Sequence, residues 1–131
     1  MQQPEAKFKK KLNDAFAAVH PEGWSAYVKA IAKNGVPDLY YQIPNRHGVW
    51  AEAKVDGNQL SPAQQLTIGK MVRAGSAVKV VSLLNTALPK AVQRILVSRA
   101  TCRGPSCALL PLKEFGLGEL KQEAFWNLVL L

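Results

Sequence analysis

Three side chains in one twenty-residue segment have the chemistry of a hydrolytic site. The segment reads GVPDLYYQIPNRHGVWAEAK, in which Asp38 follows a proline and Glu52 lies two positions before Lys54. Alternate side chains of a strand share a face, so Glu52 and Lys54 are neighbours if this part of the chain is a strand. If the residues around Asp38 pair antiparallel with that strand through the turn PNRHG, Asp38 faces the same side. The spacing therefore predicts two carboxylates beside one ammonium.

Two carboxylates held together repel each other, and a divalent cation relieves the repulsion. This favours a hard metal ion such as Mg²⁺ or Mn²⁺. Such an ion polarises a phosphate and lowers the pKa of its bound water, while the Lys54 amine positions the water or stabilises developing charge. The alternative is a solvated pair of Glu52 and Lys54 on an exposed strand face, with Asp38 an ordinary turn residue. Spacing alone leaves both interpretations open.

The first half of the chain predicts the elements that position this segment. Apolar residues at helical spacing predict a helix from Glu5 to Val19. Three strand-like segments follow, from Trp24 to Ile31, from Leu39 to Ile43 and from Val49 to Val55, with KNGVP and PNRHG as the turns between them. The order predicts a meander of adjacent strands.

The second half predicts further helices and strands. In LSPAQQLTIGKMVRAG, Ser61 is a good N-cap, Pro62 suits the first helical position, and Gly75 comes just past the end. AVKVVSLL is typical of a buried strand, and apolar spacing predicts a helix from about Pro89 to Arg99. After the loop RGPSC, ALLPL is predicted as a short edge strand because of its proline. LGELKQEAFWNLVLL is predicted as a final apolar helix.

The basic charge of the chain is concentrated in one region. The formal net charge is +8, and from Gly57 through Lys113 there is no Asp or Glu but there are eight Lys or Arg residues. Such a region suits a polyanion, and nucleic acid is favoured over a membrane because no apolar stretch is long enough to span a bilayer. Seven basic residues are candidates for contact with backbone phosphates: Lys70, Arg73, Lys79, Lys90, Arg94, Arg99 and Arg103. Each also reads as an ordinary solvated side chain.

Length and cysteine content bound the class of protein further. With 131 residues the chain has the length of one domain. Its start, MQQPEAKFKKKL, lacks the apolar segment of a secretion signal, which predicts a cytoplasmic protein. Cys102 and Cys107, with only His20 and His47 elsewhere, make a poor zinc set. The cysteines read as free thiols, with a local disulfide or a metal shared between subunits as alternatives.

The segment GVPD, with Glu52-Ala53-Lys54 beginning fourteen positions after its aspartate, resembles the signature of the PD-(D/E)XK nuclease superfamily. The continuation DGNQLSPAQQ…VRAGSAVKVVSLL is similar to its VRR-NUC branch. The resemblance covers about residues 5–84 of a single nuclease domain, 1–131, and leaves 85–131 as a C-terminal extension. It implies an α/β fold with a restriction-endonuclease-like core, in which a mixed β-sheet is flanked by α-helices, and metal-dependent hydrolysis of phosphodiester bonds.

The resemblance also implies which residues act. It implies metal ligands and a catalytic lysine at four matching positions: Asp38, Glu52, the backbone carbonyl of Ala53, and Lys54. The implied metal is Mg²⁺, with Mn²⁺ able to substitute. Family members often have an acid on the first helix, and Glu5 lies on the inward stripe, although an acid there also favours the helix dipole without further reason. Gln64 resembles the glutamine of the helix after the catalytic strand, and with Ser61 it also predicts a capping box.

Together these features predict a Mg²⁺-dependent DNA endonuclease. Selectivity for structure, such as a branched or Holliday junction, is expected because no segment resembles a base-reading module. Tyr40, Tyr41 and Trp50 flank the site and are candidates for stacking on a splayed base, although strand aromatics usually serve packing. The rival functions are a basic nucleic-acid-binding protein on a nuclease scaffold without turnover, and a nuclease that cleaves RNA. The isolated small domain suggests a phage origin, by resemblance, and then the host cytoplasm.

The final predicted helix bears on assembly. It carries four large apolar residues: Phe125, Trp126, Val129 and Leu130. Exposed, they would favour a homodimer, whose two symmetry-related sites suit paired cuts across a symmetric junction. The alternative is that this helix covers the core of a monomer.

Overall fold

Six strands form one mixed sheet in the computed structural model, which describes residues 3–29 and 34–131. They follow one another across the sheet in chain order: β1 (Trp24–Tyr27), β2 (Leu39–Gln42), β3 (Val49–Val55), β4 (Ala77–Leu84), β5 (Arg94–Arg103) and β6 (Ser106–Gly116). Neighbouring strands are antiparallel except for β3 and β4, which are parallel. The fold is therefore α/β with a mixed sheet, as expected for a restriction-endonuclease-like core.

The described residues include three α-helices, which flank the sheet on its two faces. They are α1 (Pro4–Val19), α2 (Pro62–Arg73) and α3 (Glu123–Leu130). The apolar residues of α1 and α3 pack into one core cluster with one face of the sheet, which we call the α1 face. Helix α2 packs on the opposite face, the α2 face, and supplies the crossover that a parallel β3–β4 pair requires.

The alternation of residues along β3 separates the two faces. Ala51 and Ala53 are fully buried in the cluster under α1 and α3, while Trp50 packs into the smaller cluster under α2. Glu52 therefore points to the α2 face, as the period of two requires. Helix α2 begins as predicted, because Ser61 caps it in a capping box and Pro62 is its first residue.

The first half of the chain follows the sequence-based prediction closely. Helix α1 and strands β2 and β3 lie within one residue of their predicted bounds, and β1, β2 and β3 form the expected meander. Strand β1 ends at Tyr27 instead of continuing to Ile31. Residues 30–33, which include the end of that predicted strand and the start of the KNGVP turn, lie outside the described residues.

The predicted helix from Pro89 to Arg99 is wrong. A short 3₁₀ helix, Lys90–Val92, is followed by β5, which pairs with β4 on one side and β6 on the other. A helix would have turned Val92 inward, but its side chain is 49% exposed. Ile95 and Val97 instead alternate into the core, and β-branched residues favour a strand once neighbouring strands pair with it.

Strand β6 is an edge strand, as its proline predicted, but it spans Ser106–Gly116 and is much longer than ALLPL. A bulge opposite Val97 and Ser98 interrupts its pairing near Pro111. Three of its leucines are exposed: Leu109, Leu110 and Leu112. At the hairpin that joins β5 to β6, the free thiols of Cys102 and Cys107 lie on facing residues.

The C-terminal segment is a 3₁₀ turn, Leu117–Lys121, followed by α3, instead of one continuous helix. The apolar residues of α3 are buried, and the Trp126 indole N–H donates to the Leu120 carbonyl at 2.8 Å. This helix therefore covers the core of one chain, which removes the reason for expecting it to be a dimer contact. In the described part of the chain, no helix combines the length and apolar character needed to cross a membrane.

Candidate metal and catalytic site

The site forms where β2 separates from β3. Strand β2 pairs with β3 only as far as Leu39 and Ala51, while β3 continues to Val55 in register with β4. Asp38 comes one step before Leu39 and thus opposite Glu52, on the same face. Its Oδ1 accepts a hydrogen bond from the backbone N–H of Ala53 at 3.4 Å. The separation of the strands leaves the backbone of Ala53 directed toward Asp38.

Three carboxylates converge at this point. One oxygen from each of Glu5, Asp38 and Glu52 lies within 4.8 Å of the other two. Glu5 reaches the site from the first turn of α1, Glu52 from β3, and Asp38 from the residue just before β2. The two carboxylates predicted from spacing thus meet at a shared point, and the acid on α1 joins them.

Glu52 is the most buried of the three acids, with 2% of its surface exposed. Its Oε2 accepts a hydrogen bond from the Gln64 side chain at 3.0 Å and lies 3.6 Å from the Lys54 amine. Among the residues that the structure describes, its Oε1 has no hydrogen-bond partner. Burial, and next the negative charge of Asp38, raise the pKa of Glu52 to about 7. Of the two Glu52 oxygens, Oε2 therefore has a hydrogen-bond donor and an ammonium nearby, while Oε1 has no donor among the described residues.

Lys54 lies beside Glu52 on the α2 face, as the period of two predicted. Its side chain is mostly buried, so its ammonium is held near the carboxylates with little surrounding water. An amine in this position can stabilise negative charge that develops on a bound phosphate.

Sequence reasoning missed Lys9. Its amine lies 2.6 Å from Asp38 Oδ2 and 3.7 Å from Glu5 Oε1. Partial burial lowers the pKa of Lys9, but the hydrogen bond and charge of Asp38 outweigh this and raise it above its ordinary value. The available signal was the position of Lys9 one turn after Glu5, which places both side chains on one side of α1.

Gln64 performs two tasks at the same time. Its side-chain oxygen accepts from the Ser61 backbone N–H at 2.9 Å, and its side-chain nitrogen donates to Glu52. Both roles predicted for Gln64 are therefore present together, because the two ends of the amide serve different partners. The start of α2 is thereby connected directly to the buried carboxylate.

The donors at this point fit a hard divalent cation. They comprise oxygen atoms from Glu5, Asp38 and Glu52, and one of these oxygens is buried with no partner within residues 3–29 and 34–131. The N–H and C=O of one residue in a strand point to the same neighbouring strand, so the carbonyl of Ala53 is directed to the side of Asp38. Carboxylate and carbonyl oxygens are the ligands that Mg²⁺ and Mn²⁺ prefer.

Six of the seven basic residues predicted to contact phosphate have exposed side chains: Lys70, Arg73, Lys90, Arg94, Arg99 and Arg103. The prediction is wrong for Lys79, which is 2% exposed. Its side chain alternates to the α1 face and donates to the backbone carbonyls of Val129 at 3.1 Å and Leu131 at 2.6 Å. Lys79 therefore holds the end of α3 against the sheet and is not available to a nucleic acid.

Tyr41 also has a packing role. It is buried on the α1 face, where its hydroxyl donates to the Asn13 side chain at 2.7 Å. Tyr40 and Trp50 lie on the α2 face with the site.

No family model, no curated protein and no solved structure matches this chain.

Proposed function

We propose that the protein is a Mg²⁺-dependent endonuclease that hydrolyses phosphodiester bonds in DNA. The observation that carries the proposal is the convergence of Glu5, Asp38 and Glu52 beside the Lys54 amine, with a buried oxygen of Glu52 that has no partner in the described part of the chain. Such an arrangement has a cost for folding, because like charges are held together out of water. A bound cation offsets that cost and gives the arrangement a use.

The three carboxylates and the Ala53 carbonyl would hold the ion. When bound, Mg²⁺ supplies a Lewis acid that polarises the phosphate and lowers the pKa of attacking water. Gln64 fixes the orientation of the Glu52 carboxylate through its 3.0 Å hydrogen bond. Lys9 pairs with Asp38 and Glu5 and limits their mutual repulsion. Lys54 is left to stabilise charge on the phosphoryl oxygens.

DNA is the proposed substrate because the part of the chain without acids is rich in exposed cations. The acid-free region between Gly57 and Lys113 places exposed cations on α2 and β5, where they suit a phosphate backbone. The described residues include no base-reading module, which favours recognition of a branched structure over a sequence. A binding protein without turnover is disfavoured, because the full set of acids and the lysine converge.

The proposal is tested by incubating the protein with supercoiled plasmid, a synthetic four-way junction and linear duplex, each with Mg²⁺, Mn²⁺ or EDTA. Asp38→Ala is expected to abolish cutting, and Lys54→Ala to slow it by about 10²- to 10³-fold while metal binding is retained. Asp14→Ala is the matched control, since this exposed carboxylate of α1 pairs with Lys10 away from the site. Wild-type cutting by Asp38→Ala would place the active site elsewhere.

The rival enzyme is a nuclease that cleaves RNA. A four-way junction of matched sequence made of RNA distinguishes it from a DNA endonuclease. Cleavage of DNA and not of RNA is expected, and faster cleavage of RNA would reassign the substrate.

Paired cuts across a symmetric junction require two sites, so a homodimer is part of the proposal, although α3 no longer supports it. Sedimentation velocity with and without the four-way junction tests this part. A species of two chains on one junction is expected, and a single chain per junction would contradict it.

A further inference from the structure

Three aromatic side chains form a row beside the candidate site. The ring centroids of Trp24 and Tyr40 are 6.1 Å apart with 65° between the ring planes, and those of Tyr40 and Trp50 are 4.9 Å apart at 68°. These edge-to-face contacts connect β1, β2 and β3. We call Trp24, Tyr40 and Trp50 the aromatic row.

Strand register places the aromatic row on the same face as the carboxylates. Tyr40 pairs with Trp50, and each lies two residues along its strand from an acid of the site, Asp38 and Glu52 respectively. Trp24 faces Gln42, the next residue of β2 on this face. At about 3.3 Å per residue the row extends about 13 Å from Asp38. It therefore begins next to the carboxylates and leads away from them.

The outer end of the row is open to solvent. Trp24 has 61% of its surface exposed, which is unusual for so large an apolar side chain. Within the described residues, α2 packs against β4, β5 and β6 on this face. The area that α2 covers therefore lies toward the β6 edge of the sheet, away from Trp24 on β1. Packing with Tyr40 thus accounts for only part of the Trp24 side chain.

The inner part of the row is held in place. The Tyr40 hydroxyl donates to the Gln42 side-chain oxygen at 3.0 Å, and the Gln42 amide donates to the Arg46 carbonyl at 3.0 Å. Gly48 leaves room for the ring, because a β-carbon at that position would overlap the Tyr40 hydroxyl. A rigid aromatic surface loses little entropy when a flat ligand stacks on it.

Cationic residues line the clefts on either side of Trp50. One cleft of about 620 Å³ is lined by Tyr40, Arg46 and His47 among others, and a second of about 560 Å³ by Thr67 and Lys70. Aromatic surfaces interleaved with cations are the combination that binds single-stranded nucleic acid, through stacked bases and neutralised phosphates.

We propose that the aromatic row binds an unpaired DNA strand that adjoins the phosphodiester held at the carboxylates. Bases inside a duplex have no free face, so a row of this kind selects a substrate with a single-stranded arm or splayed nucleotides. This inference rests on the proposed nuclease function for the adjoining scissile bond. The preferred branched substrate is then one that carries a single strand at the branch.

The binding step is tested in EDTA with a short fluorescent oligothymidine, so that cleavage does not intervene. Trp24→Ala is expected to weaken binding about tenfold, and Trp24→Phe to retain most of it. Tyr27→Ala is the matched control, because Tyr27 lies on the same strand with 58% exposure but faces the opposite side of the sheet. Arg46→Ala is expected to weaken binding and to reduce the dependence on salt by about one phosphate contact.

Cleavage provides a second readout that separates the two proposals. Wild-type protein is expected to cut a duplex with a single-stranded arm faster than a blunt duplex, and Trp24→Ala to lose that preference. If Trp24→Ala, still folded by its thermal melting curve, binds oligothymidine as tightly as Tyr27→Ala does, the aromatic-row proposal is overturned while the nuclease proposal stands. If binding requires Trp24 but no substrate is cut, the nuclease proposal fails and the strand-binding role stands.

Discussion

The buried polar side chains on the two faces of the sheet differ in how fully they are hydrogen-bonded. On the α1 face, Tyr41 donates to Asn13, Trp126 to a backbone carbonyl, and Lys79 to two carbonyls. On the α2 face, Glu52 is as deeply buried, yet one of its oxygens has no partner among the described residues. The described residues contain one further buried atom without a partner, His20 Nε2 at the end of α1. The partnered groups of the first face stabilise the fold, while the unpaired oxygen of Glu52 destabilises the protein alone and is suited to binding a cation.

The largest stability effect is expected on the α1 face. Trp126 is fully buried among aromatic rings, so Trp126→Ala is expected to lower the free energy of unfolding by about 3–5 kcal/mol. Trp24→Ala, at the exposed tryptophan of the other face, is expected to lower it by only about 1 kcal/mol, through loss of the edge-to-face contact with Tyr40. Urea unfolding of the two variants measures both values. Equal losses would show that the α1 face does not contribute more to the free energy of unfolding than the α2 face at these two positions.

On the α2 face, stability is expected to depend on pH through Glu52. Its folded pKa of about 7 exceeds the ordinary value of 4.5, so the folded state binds a proton more tightly than the unfolded state. In EDTA, this contribution is greatest below pH 4.5 and falls by about 3 kcal/mol as the pH rises through 7. Glu52→Gln is expected to remove this dependence, as measured by urea unfolding at several pH values.

Adding Mg²⁺ gives a second test of the part that Glu52 plays in stability. At pH 8, Mg²⁺ is expected to restore stability to the wild type and not to Glu52→Gln, because binding to the folded state alone stabilises it. Equal stabilisation of both proteins would indicate that Mg²⁺ binds away from Glu52.

A smaller effect is expected from Gln64→Glu, which retains an oxygen for the Ser61 backbone N–H but replaces the donor to Glu52 with a second carboxylate. Repulsion should raise the pKa of Glu52 further and slow cleavage at neutral pH by at least about tenfold. The pH–rate profile of cleavage should move to higher pH. An unchanged profile would mean that Gln64 serves only as a cap.

The smallest effect is expected from Ser61→Ala. It removes the hydroxyl that accepts from the Gln64 N–H at 3.1 Å but keeps the Gln64 side chain beside Glu52. The loss of the cap should cost about 1 kcal/mol of stability, with cleavage within about twofold of wild type. Thermal melting and plasmid cleavage on one preparation measure both. A large loss of cleavage would show that the cap itself positions the site.

The central part of the site could be predicted from the sequence because its residues are close together along the chain. The two-residue period relates Glu52 to Lys54, and one antiparallel turn relates both to Asp38. Lys9 was missed because its partner Asp38 is distant in sequence, although its spacing from Glu5 was visible.

The errors elsewhere have the same cause. The run around Ile95 suits either a helix or a strand, and pairing with β4 and β6 decides between them. The burial of Lys79 depends on α3, about fifty positions away.

The edge strand β6 has a consequence for how copies of this protein can meet. Pro111 offers no N–H, and the bulge beside it disturbs the regular spacing of the strand. A second strand laid along β6 cannot continue its main-chain ladder past that point, so open-ended stacking of sheets is hindered. A copy that docks on this edge therefore has only short stretches of main chain to pair with, and the exposed leucine side chains of β6 remain as further contacts.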